Sequence, residues 1–588
     1  MNDPSSSADL VFRARGLLIG AAAGDALGWP QEQRSGIVGG QRTRQVEPKL
    51  EFRSWLRWGG TQFARYEDPV AAGEYSDDTQ LLLATARACL KGADWVTWFT
   101  SVELPAWPVY QRGGGRAVLK AGRSWEAGRV PWEGSSDSVR SYFAAGANGV
   151  AMRIAPHVIL TLSETSPQPL ISRVVRDGIT THGHARALLG AVVHALALRH
   201  TLRRQGTMEY GDLISELIDS PAWNDFDAAC AELPREWSRK FEEYSDCSFR
   251  EAWRGTVAEV EALLQICQDS LKRAALADDE KTLSALGCFD KKVNGSGTVT
   301  AVAASYLAAR FAARPSMGLL RSAFLSNADT DTLASMTGSL LGALHGLDWL
   351  SGLSGGLQDF RYISEVSEKL ALAPGRRTEN PSEDRSTVKG WLRSLANDRE
   401  VKNFIDGRGI SEVHVHELKA STKQQMERFR VLLADGQTLI IDRRAVKGES
   451  AGSSASALPE TAQLEFPVNR GHGTPTRVAV HVTDLASTRR FYEDILGVRV
   501  TVSEEQAVYV TPWLAFLQHP NMPGELKSGP IQITVTSPDT RRVKKLVERL
   551  NIPVVPPGPR DVDGSLRVID PDGNEVLVWP TDRAYRRP

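Results

Sequence analysis

Apolar side chains recur at every third or fourth position through most of the first 370 residues of the chain. Examples are the runs LVFRARGLLIGAAAG, TQLLLATARACL and HARALLGAVVHALALRH. This spacing places the apolar residues on one face of an α-helix, and the frequent Gly and Ala residues on these faces favour close helix packing. Strand-like runs are nearly absent from this part of the sequence. We therefore expect residues 9–375 to form one all-α domain.

The pattern changes near residue 375, where the polar, breaker-rich stretch ALAPGRRTENPSEDRS indicates a boundary. Residues 385–446 contain one helical run and several strand-like runs. The last two of these runs predict a β-hairpin that turns at Asp435 and Gly436. This segment is predicted to be a small α+β appendage. Residues 447–474 are predicted to be a flexible linker because their first part is rich in Ser, Ala and Gly.

The last segment, residues 475–588, alternates strand-like runs with two helical runs. This order is typical of two β-α-β modules, which we expect to form one small mixed sheet. The whole chain is therefore predicted to be multidomain, with an all-α domain, a small α+β appendage and a C-terminal α+β domain.

Bulk composition narrows the classes of function. The chain has 70 Lys and Arg residues against 71 Asp and Glu residues, which argues against a protein that coats nucleic acid or a membrane surface. The 5 cysteines are irregularly spaced and include no CxxC pair, which disfavours a disulfide framework or a zinc site. The N-terminus is polar, and no apolar run approaches the ~18 residues that span a bilayer. We expect a cytoplasmic protein with no membrane partner.

Two short clusters of acids and hydroxyls each precede an apolar helical run, about 250 residues apart. Their members are Ser76, Asp77 and Asp78 in the first cluster and Asp329, Asp331 and Thr332 in the second. A single cluster of this kind is most often a helix cap. Its repetition favours a metal site, because carboxylate and hydroxyl oxygens without His or Cys suit a hard cation such as Mg²⁺ or Mn²⁺. Four carboxylates from two helix starts would suit a two-metal site.

Two further segments can contribute to a pocket. In GAAAGDALGWPQE, Asp25 is expected to end the helix, and Glu32 lies on the loop that follows. The glycine loop GANGVAMR, residues 146–153, has backbone amides that can approach a phosphate. On local grounds an acid on a loop is usually solvated, and a plain turn explains the glycine loop equally well.

Taken together, these segments resemble the ADP-ribosylglycohydrolase family, which includes the dinitrogenase reductase-activating glycohydrolases. The resemblance covers about residues 9–350. It is carried by GxxxGDALGxPxE at 20–32, YSDDT at 75–79, NGVAMR at 148–153 and NADTDT at 327–332, and the THGHARALLG run from Thr181 adds to it. The sequence departs from the family pattern in two places. Ser76 stands where many members have Thr, and Asn327-Ala328 replaces a common Gly-Gly.

The resemblance implies a mainly helical fold that holds two Mg²⁺ ions, for which Mn²⁺ could substitute. The implied metal ligands are Ser76, Asp77, Asp78, Asp329, Asp331 and Thr332. The implied neighbours of the substrate are Glu32 at the scissile bond, Asn148, Gly149 and Val150 at the diphosphate and distal ribose, and His182.

The expected reaction is cleavage of the ribose C1″ glycosidic bond on an ADP-ribosylated protein or nucleic acid. Asp77, Asp78 or Glu32 would take the proton of the attacking water, and the sequence does not choose among them. The acceptor that carries the ADP-ribose also stays open, with arginine, serine and other linkages as alternatives.

The C-terminal segment resembles the vicinal-oxygen-chelate family, which includes glyoxalase I, extradiol dioxygenases and bleomycin-resistance proteins. FYEDILG and DPDGN are the most specific parts of a match that spans about residues 476–582. Catalytic members bind metal through inward strand positions, which here hold Arg477, Gln532 and Leu577. These residues do not suit a divalent ion, and His481 alone is a weak substitute. We expect a binding or dimerisation module, through which the chain could form a homodimer.

Two other functions compete with the hydrolase. The chain could be a catalytically silent relative that binds ADP-ribose or has a structural role, but every implied ligand position is filled, which favours activity. It could instead be a small-molecule binding or resistance protein that acts through its C-terminal domain. The missing metal ligands count against a lyase and leave drug binding open.

Overall fold

The structure, a computed structural model, describes most of the first 445 residues and the strands of the C-terminal part. The described residues are 4–32, 37–38, 41–42, 47–61, 64–204, 206–372, 388–397, 401–420, 425–445, 478–482, 491, 502–504, 507–511, 514–518, 532–537, 540–550, 552–555, 566–569 and 575–580. The chain divides into two compact units, Met1–Ala451 and Gly452–Pro588. No helix within the described ranges is both long and apolar enough to cross a membrane.

The first unit is mainly helical, which confirms the predicted fold class. In chain order its helices are α1 Pro4–Gly28, α2 Asp77–Cys89, α3 Trp95–Trp98, α4 Leu104–Ala106, α5 Arg116–Glu126, α6 Ser136–Phe143, α7 Ala155–Leu160, α8 Gln168–Gly178, α9 Ala185–Arg203, α10 Asp212–Asp219, α11 Phe226–Cys230, α12 Arg235–Tyr244, α13 Phe249–Leu271, α14 Asp279–Ala285, α15 Gly297–Arg310, α16 Pro315–Ala323, α17 Thr330–His345, α18 Ser351–Ser354, α19 Phe360–Leu372 and α20 Val388–Asn397.

Helices α1 and α17 pack against each other through glycines. Gly16, Gly20, Gly24 and Gly28 recur every four residues on α1, and the backbone of α17 lies directly against them. A Cβ atom added at Gly20 would lie 2.2 Å from the carbonyl oxygen of Gly338. Because the backbones approach so closely, the last turns of α1 lie beside the first turn of α17, where the second acid cluster begins.

Helix α1 is longer than the sequence pattern indicated. We expected Asp25 to end it, and this was wrong, because the helix continues to Gly28. The residues after Asp25 are compatible with a helix, and the first breaker is Pro30 in the turn Trp29–Gln31. Asp25 therefore points from the body of a buried helix rather than from its end.

The helical part of the chain also contains two β-hairpins, whereas the sequence pattern indicated almost no strands there. Their strands are β1 Ile37–Val38 with β2 Gln41–Arg42, and β3 Trp55–Thr61 with β4 Ala64–Val70. The second hairpin escaped the hydrophobic pattern because one charged pair interrupts the apolar residues of its buried face, which are Trp55, Tyr66 and Val70. Arg57 pairs across the strands with Asp68, which is buried.

A three-stranded antiparallel sheet follows α20. Its strands are β5 Ile410–Leu418, β6 Met426–Leu433 and β7 Thr438–Arg444, in the order β5-β6-β7. Leu432 of β6 pairs with Thr438 of β7, and Gly436 has a φ of +94° in the turn, so the predicted hairpin at Asp435 and Gly436 is confirmed. The boundaries proposed at residues 375, 385 and 447 stay predictions.

This sheet shares a hydrophobic core with the helices. Trp391 of α20 and Phe429 and Val431 of β6 pack in one cluster with Leu81 of α2 and Trp107. The sheet and α2 are therefore parts of the same compact unit, and the sheet lies close to the start of α2.

The second unit contains two four-stranded sheets among the described strands, where the sequence pattern suggested one. The strands are β8 Val478–Val482, β9 Val502–Glu504, β10 Ala507–Thr511, β11 Leu514–Gln518, β12 Gln532–Ser537, β13 Val554–Val555, β14 Leu566–Ile569 and β15 Glu575–Pro580, with helix α21 Thr540–Arg549. The sheet orders are β8-β11-β10-β9 and β12-β15-β14-β13. In chain order, the first strand of each sheet pairs in parallel with the last strand, β8 with β11 and β12 with β15. Each module therefore forms a sheet of its own.

Candidate metal centre

Three segments bring acidic side chains to one place in the helical unit. The turn after α1 carries Glu32, the first two residues of α2 are Asp77 and Asp78, and the start of α17 carries Asp329 and Asp331. Backbone N–H groups at the start of a helix are electropositive, which favours carboxylates there. Both acid clusters therefore lie where helix starts can support negative charge.

Carboxylate oxygens from the loop and from α17 lie close enough to share a cation. One oxygen each from Glu32, Asp329 and Asp331 lies within 4.8 Å of the others. The Thr332 hydroxyl donates to Asp78 Oδ1 over 3.3 Å, which joins the start of α17 to the start of α2. The two clusters, about 250 residues apart in sequence, thus form one group of acids.

The electrostatics of this group favour a bound cation. Burial, and then the negative charges of Asp25 and Glu32, raise the pKa of Asp77 to about 8. Burial and neighbouring carboxylates likewise raise the pKa of Asp78 and of Asp331. Closely spaced buried carboxylates cannot all ionise at neutral pH without a positive partner.

One buried oxygen in the cluster is suited to bind an ion. Asp78 Oδ2 is buried and has no hydrogen-bond partner among the described residues. A buried oxygen in this state is unfavourable unless it binds water or an ion. Because the surrounding donors are carboxylate and hydroxyl oxygens, the residues present fit a divalent ion such as Mg²⁺ or Mn²⁺.

The two clusters differ in how far they act as helix caps. Ser76 caps α2, because its hydroxyl accepts a hydrogen bond from the backbone N–H of Asp78 over 3.4 Å. Asp329 occupies the corresponding position of α17 and makes no side-chain capping bond. Its Oδ2 instead accepts a hydrogen bond from Asn148 Nδ2 over 2.8 Å. Ser76 therefore acts as a helix cap, whereas Asp329 does not.

Asp25 is a site residue that the sequence analysis missed. It is fully buried, and its carboxylate accepts hydrogen bonds from the backbone N–H groups of Ser76 and Thr79 and from the Thr79 hydroxyl, the last at 2.6 Å. It therefore fixes the start of α2. The signal was an acid within a Gly- and Ala-rich helix, since a buried carboxylate there needs partners from another segment.

Gly113 is a second site residue that the sequence analysis passed over as part of a connection. It has a φ of +95°, and a Cβ atom placed on it would lie 3.0 Å from Asp77 Oδ1. The loop before α5 can approach the first acid cluster this closely because the residue has no side chain.

The side chain of Asn148 connects the glycine loop to the acids. Asn148 contacts Asp329, whereas Val150 is fully buried in the helical core. A Cβ atom on Gly149 would lie 3.1 Å from His182 Cε1. His182 is buried, and burial, followed by the charge of Arg153, lowers its pKa to about 3, so that the ring is neutral. The predicted contacts of Asn148, Gly149, Val150 and His182 with ADP-ribose stay predictions.

The C-terminal positions with predicted roles lie on separate strands. His481 lies in β8, Gln532 begins β12 and Leu577 lies in β15. Arg477 lies outside the described residues. The expectation that these positions bind no metal stays a prediction.

Comparison with protein families gives two matches. The model of the ADP-ribosylglycohydrolase family matches residues 6–380, which is more than half of the chain. The model of the Glyoxalase/Bleomycin resistance protein/Dioxygenase superfamily matches residues 474–578. A search of curated proteins found no match.

Several solved structures are similar to the chain at low sequence identity. An ADP-ribosylglycohydrolase-related protein complex is 20% identical, with 62% of this chain and 99% of that chain covered and a TM-score of 0.40. Lactoylglutathione lyase from Agrobacterium tumefaciens is 21% identical, with 19% and 96% covered and a TM-score of 0.15. A virulence protein from Salmonella typhimurium is also 21% identical, with 18% and 92% covered and a TM-score of 0.15.

The family match contains both acid clusters, Glu32 and the glycine loop. The chain therefore belongs to the ADP-ribosylglycohydrolase family and carries a C-terminal domain of the glyoxalase superfamily.

Proposed function

We propose that the helical unit is a metal-dependent hydrolase that removes ADP-ribose from a modified target by cleaving the ribose C1″ glycosidic bond. The observation that supports this most strongly is the convergence of Glu32, Asp329 and Asp331 to within 4.8 Å, beside the buried Asp78. Membership of the family supports ADP-ribose as the group that is removed.

In this proposal two divalent ions, Mg²⁺ or Mn²⁺, occupy the acid cluster. Their ligands would be Ser76, Asp77, Asp78, Asp329, Asp331 and Thr332. When bound, such ions supply Lewis-acid chemistry, which lowers the pKa of a water and orients hydroxyl groups.

The side chains of the protein would stabilise the charge that develops on the sugar and transfer a proton. Glycoside cleavage passes through a state with positive charge on the sugar ring, which nearby carboxylates stabilise. Among the three candidate bases, Glu32 is half-buried, whereas Asp77 and Asp78 are at least nine-tenths buried. We assign the transfer of the water's proton to Glu32 because it alone combines proximity to the cluster with access to solvent. Asp25 and Asn148 would hold the acids in position.

The proposed target is an ADP-ribosylated protein or nucleic acid. The C-terminal domain is proposed to influence which target is used. It is also proposed to support a homodimer. A catalytically silent relative is the less favoured alternative, because a silent protein has no need to retain each of these buried acids at an unfavourable pKa.

An activity panel tests the proposal. The full chain is incubated with Mg²⁺ and with substrates ADP-ribosylated on arginine, on serine and on nucleic-acid bases, and released ADP-ribose is measured. We expect release from at least one substrate. The double variant Asp329→Asn, Asp331→Asn should lose activity by on the order of 100-fold, as for other disrupted metal sites.

The matched control replaces two acids of the same domain that lie outside the cluster, Asp290→Asn with Asp348→Asn, and should keep full activity. Absence of cleavage throughout the panel by the wild-type chain contradicts the proposed activity. Full activity of the Asp329, Asp331 variant contradicts the metal assignment.

A further inference from the structure

The sheet β5-β6-β7 lies beyond the part of the chain that the family model matches, which ends at residue 380. It nevertheless contributes two arginines to ion pairs with the segment that leads into α2. Arg428 of β6 pairs with Asp68, and Arg430 pairs with Glu74 at 2.9 Å. Both acids and Arg428 are buried, whereas Arg430 is partly exposed.

Asp68 forms ion pairs with three arginines from three different segments. Besides Arg428 it pairs with Arg112 at 2.6 Å and with Arg57 of β3 at 3.1 Å. Arg428 is itself held in place by Asp442 of β7 at 2.8 Å. The carboxylate of Asp68 thus joins the sheet to the hairpin β3-β4 and to the loop before α5.

Arg112 is the central residue of this network. Its guanidinium bridges Asp68 and Glu74, and its backbone N–H donates to Gln80 Oε1 over 3.2 Å. Gln80 lies one turn into α2, and Glu74 precedes Ser76 by two residues. Arg112 is therefore bonded to the chain on both sides of the first acid cluster.

The next residue after Arg112 is Gly113, the glycine whose backbone lies against Asp77. Any shift of Arg112 would move this loop relative to the Asp77 carboxylate. Because a metal site tolerates little displacement of its ligands, such a shift would disturb ion binding at Asp77 as well as stability.

Arg57 and Arg112 also contact the turn that carries Glu32. The guanidinium groups of Arg57 and Arg112 lie 5.0 and 5.3 Å from the ring centre of the buried Trp29. Trp55 also contacts this ring edge-on, with the ring centres 5.3 Å apart. Trp29 opens the turn that ends at Glu32, so both sides of the acid cluster depend on one set of arginines.

The geometry points to the sheet β5-β6-β7 as a positioning element of the metal centre, acting through Arg428 and Arg430. These arginines hold Asp68 and Glu74, the two acids hold Arg112, and Arg112 holds Gly113 against Asp77. This inference rests on the proposed metal site, and it adds residues outside the family match to the catalytic module. If the sheet only stabilised the fold, its ion pairs would affect unfolding and leave ion affinity unchanged in folded protein.

Mn²⁺ binding to the full chain, measured by titration calorimetry, separates these two roles. The double variant Arg428→Gln, Arg430→Gln is compared with the double variant to Lys, which keeps the charges. The control is Arg443→Gln, on the same sheet, because Arg443 pairs with Glu427 at 3.1 Å within the sheet itself. Circular dichroism and thermal unfolding establish the folded fraction of each protein.

We expect the Gln variant to bind Mn²⁺ about 10-fold more weakly when folded, the Lys variant to recover part of this loss, and Arg443→Gln to bind like wild type. Equal Mn²⁺ affinity of wild type and the Gln variant overturns the inference, as does an equal loss in Arg443→Gln. If the double Gln variant does not fold, Arg430→Gln alone decides by the same criterion, since Arg430 is partly exposed.

Binding of Mn²⁺ requires no substrate, so the two proposals fail in different ways. Weaker Mn²⁺ binding by the Gln variant supports the positioning role even if the wild-type chain cleaves none of the tested substrates. A wild-type chain that binds no Mn²⁺ overturns both proposals.

Discussion

At Gly113 the backbone comes close to Asp77, one of the proposed metal ligands. Its φ of +95° disfavours any other residue, and an added methyl group would lie 3.0 Å from Asp77 Oδ1. We predict that Gly113→Ala weakens Mn²⁺ affinity and lowers turnover by about 10-fold. The measurement is Mn²⁺ titration together with release of ADP-ribose.

A matched control separates backbone strain from contact with the ligand. Gly92 also has a positive φ, +65°, but a methyl group added there would have no neighbouring atom within 4 Å. Gly92→Ala should lose about 1–2 kcal/mol of stability and keep Mn²⁺ affinity. Similar Mn²⁺ affinities for the two variants would refute the role of Gly113.

The raised pKa of Asp77 makes the stability of the metal-free protein depend on pH. The unfolded chain loses this proton near pH ~4, whereas the folded chain holds it to about pH 8. The stabilisation is therefore present at low pH and is lost as the pH rises through 8. Above pH 7 the buried His182 and His194, each with a pKa lowered to about 3, are neutral in both states and do not interfere.

We predict that the unfolding temperature of metal-free protein falls between pH 7 and pH 9, and that the increase caused by Mg²⁺ grows over the same range, because the ion replaces the proton. The Asp77→Asn variant should show a smaller slope in both measurements. A pH-independent effect of Mg²⁺ in the wild-type chain would count against ionisation of these acids on binding.

Residue types and spacing were enough to single out both acid clusters, because acids that precede apolar helices are visible in the sequence, whereas Glu32 received its predicted role from the family resemblance. Asp25 was missed since a carboxylate in a helix interior shows its partners, Ser76 and Thr79, only after folding. The Arg112 network was also invisible, because its members come from segments up to 360 residues apart.

At the scale of elements, the α1–α17 contact determines whether the second cluster reaches the first. Gly20→Ala would place a methyl group 2.2 Å from the Gly338 carbonyl oxygen, so the helices must separate. We predict a loss of about 2–3 kcal/mol of unfolding free energy, typical of overpacking. Mn²⁺ affinity should fall as well, because Asp331 lies on α17 and Asp25 on α1.

The control for this prediction is another helical glycine, Gly255 in α13, which has no atom near its added methyl group. Gly255→Ala should be neutral or stabilise by up to about 1 kcal/mol through helix propensity. Chemical denaturation measures both variants. A Gly20→Ala protein as stable as wild type would show that the helices can pack without that glycine.

Helix periodicity predicted most elements, because the apolar faces of the helices are buried in the way the pattern implies. The hairpin β3-β4 was missed because the ion pair Arg57–Asp68 interrupts the apolar residues on its inner face. Helix α1 ends later than predicted because the residues after Asp25 are compatible with a helix up to the turn that contains Pro30.

At the scale of the molecule, the family match and the compact unit have different ends. The match stops at residue 380, whereas the unit extends to Ala451. We predict that a chain cut after residue 451 keeps Mn²⁺ binding and hydrolysis, with changed selectivity among targets. A chain cut at residue 380 should lose both, since it lacks Phe429 and the arginines of β6.

Mn²⁺ titration and the substrate panel on the two truncated chains check this prediction. Normal Mn²⁺ affinity in the shorter chain would contradict a role for the sheet. Identical selectivity of the longer truncated chain and the full chain would contradict the role proposed for the C-terminal domain.

The division into a helical part and a glyoxalase-like part followed from sequence motifs, while the shared core of sheet and helices did not. Phe429 and Val431 read as ordinary strand residues, and only the structure shows them packed with Leu81 of α2.

The most direct test of the central claim is hydrolysis measured before and after removal of divalent ions. The full chain is stripped with a chelator, assayed on a substrate that it cleaves, and then titrated with Mg²⁺ or Mn²⁺ while bound ions are counted by calorimetry. We predict that activity is lost on chelation and returns as the acid cluster around Asp78 and Asp331 takes up two ions per chain. Undiminished hydrolysis in the stripped protein would contradict it.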